Sequence, residues 1–110
     1  MSTEIVLVGI EIRMSGNRAI PRVAIEVGDL GLSAMAQDLK GLAEDHPKVL
    51  HHHFDGSMRH QFWIRDPQEF EKMLRHLHQI GVIDQWNNWD FAFKAIQTNP
   101  HLTWWIHIED

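Results

Sequence analysis

The chain has 110 residues and a formal net charge of −5 at pH 7, and it contains no cysteine. This length suits one hydrophobic core, so we expect a single domain over residues 1–110. The lack of cysteine excludes disulfide bridges and thiolate sites and is typical of intracellular proteins. The acidic balance disfavours nucleic acid as a partner. Without a basic leader or an apolar run near the ~20 residues of a membrane span, the sequence predicts a soluble cytoplasmic protein.

The N-terminal part predicts two strands and a helix. Residues 4–13 alternate and are apolar on both faces at first, which predicts a central strand. After a Ser-Gly-Asn turn, residues 21–28 predict a second strand, which Pro21 restricts to a sheet edge or a strand start. Its predicted inward residues are Val23, Ile25 and Val27. Ser33 is the predicted cap of a helix that ends before Pro47.

Residues 48–65 predict a β-hairpin that turns at Asp55-Gly56, a dipeptide that favours a two-residue loop. A loop of two residues fixes which side chains of the two arms share a face. One predicted face carries Val49, His51, His53, Met58, His60, Phe62 and Ile64. The other predicted face carries Leu50, His52, Phe54, Arg59, Gln61, Trp63 and Arg65.

His51, His53 and His60 form a candidate metal site on the first of these faces. Two of them project from one strand at alternate positions, and the third projects from the neighbouring strand. Three neutral imidazoles suit zinc or another divalent metal, with Asp55 as a fourth ligand. The alternative, which we favour, is that these histidines are partly buried structural residues at the end of a sheet.

Asp66, Pro67 and Glu69 predict the start of the clearest helix in the chain, which closes at Gly81. Asp66 is the cap, the proline occupies the first helical position, and the glutamate stands where a capping box has an acid. Five apolar residues then follow at helical spacing, which gives this helix one face to bury.

Residues 83–98 fit two structures. A helix capped by Asp84 is one, a strand is the other, and we favour the helix. Residues 102–108 alternate and predict a final strand. The predicted order is ββαββα(α)β. This order predicts an α+β domain with a mainly antiparallel sheet of about five strands and helices packed on one face.

Catalytic signatures are missing from the sequence. No serine lies in a nucleophile elbow, and there is no phosphate loop or dinucleotide fingerprint. The carboxylates do not pair at a spacing that suggests acid–base catalysis. An enzyme is therefore not the favoured interpretation.

Aromatic residues suggest a binding surface instead. The chain has five tryptophans and five phenylalanines but no tyrosine. Adjacent tryptophans at 104 and 105 point to opposite faces of the last strand, so one of them leaves the main core. Tryptophan and arginine are enriched at interface hot spots, which makes anchors of Arg59, Trp63, Arg65 and Trp105. The candidate groups that steer a basic partner are Asp84 and Asp90.

These features predict a small protein-binding module of the inhibitor, immunity or regulatory-adaptor type, with another protein as its partner. Two alternatives stay open. One is a metal-binding protein or small metalloenzyme that uses the histidine cluster. The other is a small-ligand-binding domain that forms a homo-oligomer, a dimer, through its sheet.

Overall fold

A computed structural model describes residues 4–31, 33–54 and 60–109. It confirms the predicted α+β class and the predicted order of strands and helices. In chain order the elements are β1 (Glu4–Ser15), β2 (Arg18–Val27), α1 (Ser33–Asp45), β3 (Leu50–Phe54), β4 (His60–Ile64), α2 (Pro67–Gln79), α3 (Trp89–Thr98) and β5 (Thr103–Glu109).

The strands form one antiparallel sheet in the order β2-β1-β5-β4-β3. The C-terminal strand β5 is central, and the strand pairs β1–β2 and β4–β3 lie on either side of it. Pro21 lies in the edge strand β2, one of the positions in a sheet where proline is tolerated. The predicted interior position of β1 is confirmed.

One face of the sheet carries the core and the helices. Ile5 and Leu7 of β1 stand opposite Ile108 and Ile106 of β5, and Phe62 of β4 continues this row. All five are buried in one cluster with apolar residues from the three helices. Cross-strand partners point to the same face. We call this side of the sheet the helix face.

Helix α2 begins as the sequence predicts. The backbone N–H of Glu69 donates to the Asp66 carboxylate at 3.2 Å, and Pro67 is the first helical residue. The segment 83–98 contains a helix, but α3 begins at Trp89 rather than after Asp84. Asn88 precedes it with a positive φ of 56°, and its side-chain amide donates to the carbonyl of Gly28. None of the described helices has the length and apolar character needed to cross a membrane.

The β1–β2 hairpin extends beyond the rest of the sheet, because β1 pairs with β5 only as far as Ile10. Its two strands shift register at Ala24, which stands opposite no residue of β1. This bulge reverses the side to which the residues before it point. Val23, predicted to point inward, is therefore 56% exposed, whereas Ile25 and Val27 pack against the core.

Candidate functional site

No described helix covers the second face of the sheet, and this face carries two tryptophans. The register aligns one residue from each of four strands in a row made of Val8, Trp105, Trp63 and His51. The next row contains Val6, His107, Gln61 and His53. We call these two rows, together with Arg65 at the end of β4, the tryptophan face.

The indoles of Trp63 and Trp105 stack on each other at the centre of this face. Their ring centroids are 6.2 Å apart and their planes meet at 22°. The guanidinium of Arg65 lies 5.2 Å from the centroid of the Trp63 ring and donates to the carbonyl of Pro47 at 3.4 Å. Three predicted anchors are thus adjacent, with Trp63 still 37% exposed. The fourth predicted anchor, Arg59, lies outside the described residues.

The tryptophan face has few charges for a protein of net charge −5. Among its described rows only Arg65 is permanently charged, and Glu26 stands beside Val8 in the neighbouring strand β2. Val6 and Val8 are buried on the tryptophan face, and neither belongs to the core cluster on the helix face. Many aromatic and apolar groups with few charges are characteristic of the buried centre of a protein interface.

The two predicted steering acids do not belong to this surface. Asp90 lies in the first turn of α3, where it accepts a hydrogen bond from Arg75 of α2 at 3.1 Å. Burial and the neighbouring Asp84 raise the pKa of the Asp38 carboxyl in α1, which places Asp84 beside a helix as well. Both acids follow α2 in the chain and lie with the helices, on the opposite side of the sheet. Neither acid therefore lies among the tryptophan anchors, and their role in steering a basic partner stays a prediction.

The predicted arrangement of the hairpin histidines is also wrong. Phe54 pairs with His60 and His52 with Phe62, so five residues rather than two connect the strands. Side chains alternate along each strand, so a loop with an odd number of residues moves every side chain of one arm to the face opposite the predicted one. His51 and His53 lie on the tryptophan face, whereas His60 lies on the helix face. The grouping of His51, His53 and His60 around one metal ion does not form.

His60 has a different histidine neighbour. The Nε2 atom of His52 lies 2.8 Å from the Nδ1 atom of His60, a hydrogen bond between two imidazoles. Phe54 and Phe62 flank the pair at ring-centroid distances of 4.8 and 4.7 Å. Burial, followed by the charges of His60 and Lys40, lowers the pKa of His52. Within the described residues, no group of three histidine or carboxylate side chains is placed to hold a metal ion.

A cleft of about 690 Å³ opens beside the tryptophan face. It lies where β4 ends and β5 begins, between the start of α2 and the end of α3. Trp63 and Arg65 line it from the tryptophan face, and Ile96, Gln97 and Trp104 line it from the other side. The Trp104 indole N–H donates to the carbonyl of Asn99 at 3.2 Å, which fixes this wall. The volume is within the range of small-molecule pockets, roughly 300–1,000 Å³.

Sequence reasoning missed this cleft, although its two ends carry local signals. Pro67 marks the start of α2, just after β4, and Pro100 marks the stop of α3, just before β5. These signals meet in space only because β4 and β5 are antiparallel neighbours. That adjacency depends on long-range strand order, which local patterns do not encode.

Comparisons with protein-family models, with curated proteins and with solved structures find no match to this chain. Function is therefore inferred from the geometry described above.

Proposed function

We propose that the chain is a protein-binding module of the inhibitor, immunity or regulatory-adaptor type, and that the tryptophan face is its docking surface. The observation that carries this proposal is the stacked pair of Trp63 and Trp105 on a sheet face that no described helix covers. The exposed indole of Trp63 and the half-buried indole of Trp105 form one apolar area, and such areas on soluble proteins are characteristic of interaction sites.

Binding would proceed by surface complementarity. The two indoles would be desolvated at the centre of the interface, and the polar side chains of Gln61, His51 and His53 would surround them. Arg65 already lies over Trp63, so little side-chain freedom would be lost when the partner docks. The adjoining cleft offers a concave site into which one partner side chain would insert.

Truncation of either indole tests this proposal. We expect Trp63→Ala and Trp105→Ala to weaken binding to the partner by at least about 30-fold, since hot-spot truncations cost about 2 kcal/mol or more. Tagged wild-type and variant chains would be expressed in the native cell, and the bound proteins compared by quantitative mass spectrometry. Affinities would then be measured with the purified partner.

Phe91→Ala is the matched control. Phe91 is the most exposed aromatic residue described, at 69%, and it belongs to α3 on the other side of the sheet. The proposal predicts a protein that both tryptophan variants lose and the control retains, with all variants equally folded by circular dichroism. If the tryptophan variants and the control retain the same proteins at the same levels, the docking surface is misassigned.

A second candidate function rests on the cleft. Its volume of about 690 Å³ and its mixture of tryptophan, arginine and glutamine side chains suit a small organic ligand. A metabolite screen by thermal shift would identify such a ligand. Gln68→Trp would fill the cleft from α2 and abolish the shift, whereas Gln79→Trp at the exposed end of the same helix would preserve it. Equal shifts in both variants would place the ligand elsewhere.

A further inference from the structure

The two edges of the sheet differ in how they are protected from pairing with another strand. β2 contains Pro21 and the bulge at Ala24, and both features obstruct the addition of a strand. β3, at the opposite edge, has no proline, and its register with β4 is continuous from Leu50 to Phe54. An edge without such obstacles can accept another strand.

The backbone of β3 offers hydrogen-bonding groups on its outer side. The N–H of Arg65 donates to the carbonyl of Val49 at 2.8 Å, so this position is a hydrogen-bonded pair of the β3–β4 ladder. Antiparallel pairs alternate, which directs the backbone groups of Leu50, His52 and Phe54 away from β4. The Leu50 N–H is used locally, since it donates to the carbonyl of His46. Among the described residues no strand pairs with this outer edge.

A groove runs between this edge and helix α1. It has a volume of about 380 Å³, and its lining includes Lys40, Ala43 and Glu44 of α1 together with His51 and His52 of β3. Lys40 and Glu44 are one helical turn apart and opposite in charge. Neither forms a salt bridge with a described residue. The groove thus presents one cationic and one anionic group beside the outer edge of β3.

We infer that the outer edge of β3 pairs with β3 of a second copy of this chain about a two-fold axis. With His52 on the axis, each His52 N–H donates to the carbonyl of the other His52. Each Phe54 N–H donates to the carbonyl of the other copy's Leu50. The two five-stranded sheets then join into one sheet of ten strands. The α1 helices become antiparallel neighbours across the axis.

The charges of the groove favour a second copy over a different partner. A two-fold interface brings each surface against itself, so it needs opposite charges on either side of the axis. Lys40 of one copy would face Glu44 of the other, and the same pair would form twice. This inference goes beyond the proposed function. The pairing does not involve the tryptophan faces, which come to lie on the same side of the joined sheet.

A charge-swap cycle tests the inference. By sedimentation equilibrium the full chain should dimerise with a Kd on the order of 10 to 100 μM, as expected for an interface smaller than the standard size. Lys40→Glu and Glu44→Lys should each raise the Kd about tenfold, because two attractive pairs become repulsive. The double variant K40E/E44K should restore the wild-type Kd. Lys72→Glu makes the same charge change on exposed α2 and should leave the Kd unchanged.

Three results would overturn the inference. A chain that stays monomeric up to about 1 mM has no self-association of this strength. A dimer that is insensitive to the swaps, or that the double variant does not restore, uses another surface. If Trp63→Ala or Trp105→Ala abolishes the dimer while the charge swaps leave its Kd unchanged, self-association belongs to the tryptophan face instead. Loss of a foreign partner without loss of the dimer would refer only to the proposed function.

Discussion

The hydrogen bond between His52 and His60 predicts that acid destabilises this fold. A bond between two imidazoles needs one ring to accept, so it cannot form when both rings are protonated. The ring nitrogens are 2.8 Å apart, and Lys40 adds a third positive charge in the surroundings. Burial, the first cause, and these charges lower the pKa of His52 relative to an unfolded chain. The histidines at positions 51 and 53 act in the same direction.

The sign of the effect follows from proton binding. A histidine with a lowered pKa in the folded state binds fewer protons there than it does when unfolded. The associated stability is complete above the ordinary histidine pKa near ~6.5, and it is lost as the pH falls through the lower folded value. One proton changes the free energy of unfolding by at most about 1.4 kcal/mol per pH unit. Because His52 is only partly buried, we expect a total loss of about 1 kcal/mol or less.

Urea unfolding measures this loss directly. The free energy of unfolding would be determined at about pH 7.5 and about pH 5.5, on either side of the ordinary pKa. His52→Gln should lose less stability between these two values than the wild type does. His76→Gln is the matched control, since this exposed histidine of α2 is not among the groups that lower the pKa of His52. Equal losses in the wild type and in His52→Gln would refute the reasoning.

Two substitutions, each with a matched control, test the packing that supports the site. Gly9→Ala should cost about 1–3 kcal/mol in urea unfolding, because the new methyl group would lie 2.7 Å from the Trp104 ring. Gly41→Ala, with no atom within 4 Å, should instead add about 0.5–1 kcal/mol; if it destabilises the chain as Gly9→Ala does, the crowding argument is wrong. Arg75→Gln should cost about 1–2 kcal/mol, since its guanidinium contacts two carboxylates and two aromatic rings. Lys72→Gln on the same helix should be nearly neutral, and a similar loss there would contradict the role given to Arg75.

Local signals were sufficient where structure is decided locally. The cap at Asp66, the proline after it and the apolar stripe that follows are all short-range features, and they predict α2 correctly. Helix α3 was assigned to the right class but began too early. Its start depends on Asn88, whose amide bonds to the carbonyls of Gly28 and Asp29 some sixty positions away in the chain. A distant contact of this kind leaves no pattern in the segment itself.

The hairpin register failed for a related reason. Three consecutive histidines at 51–53 show no alternation between apolar and polar residues, so they do not indicate which face is buried. The prediction therefore relied on the Asp55-Gly56 turn signal alone. A five-residue connection is compatible with the same dipeptide, and it exchanges the faces of one arm. The candidate metal site depended entirely on that choice.

The tryptophan face shows which part of the candidate site can be predicted from the sequence. Adjacent residues of a strand point to opposite faces, so either Trp104 or Trp105 had to leave the core. Strand alternation favours burial of Trp104, which shares its face with Ile106 and Ile108, and the partner of Trp104 in β1 is Gly9. Without a side chain, Gly9 gives the Trp104 ring room on the helix face, where only 2% of this tryptophan is exposed. Trp105 must then lie on the tryptophan face beside Trp63. Alternation along β5 thus predicts which indole is available to a partner, and a glycine nearly a hundred residues earlier in the chain provides the space that the buried indole needs.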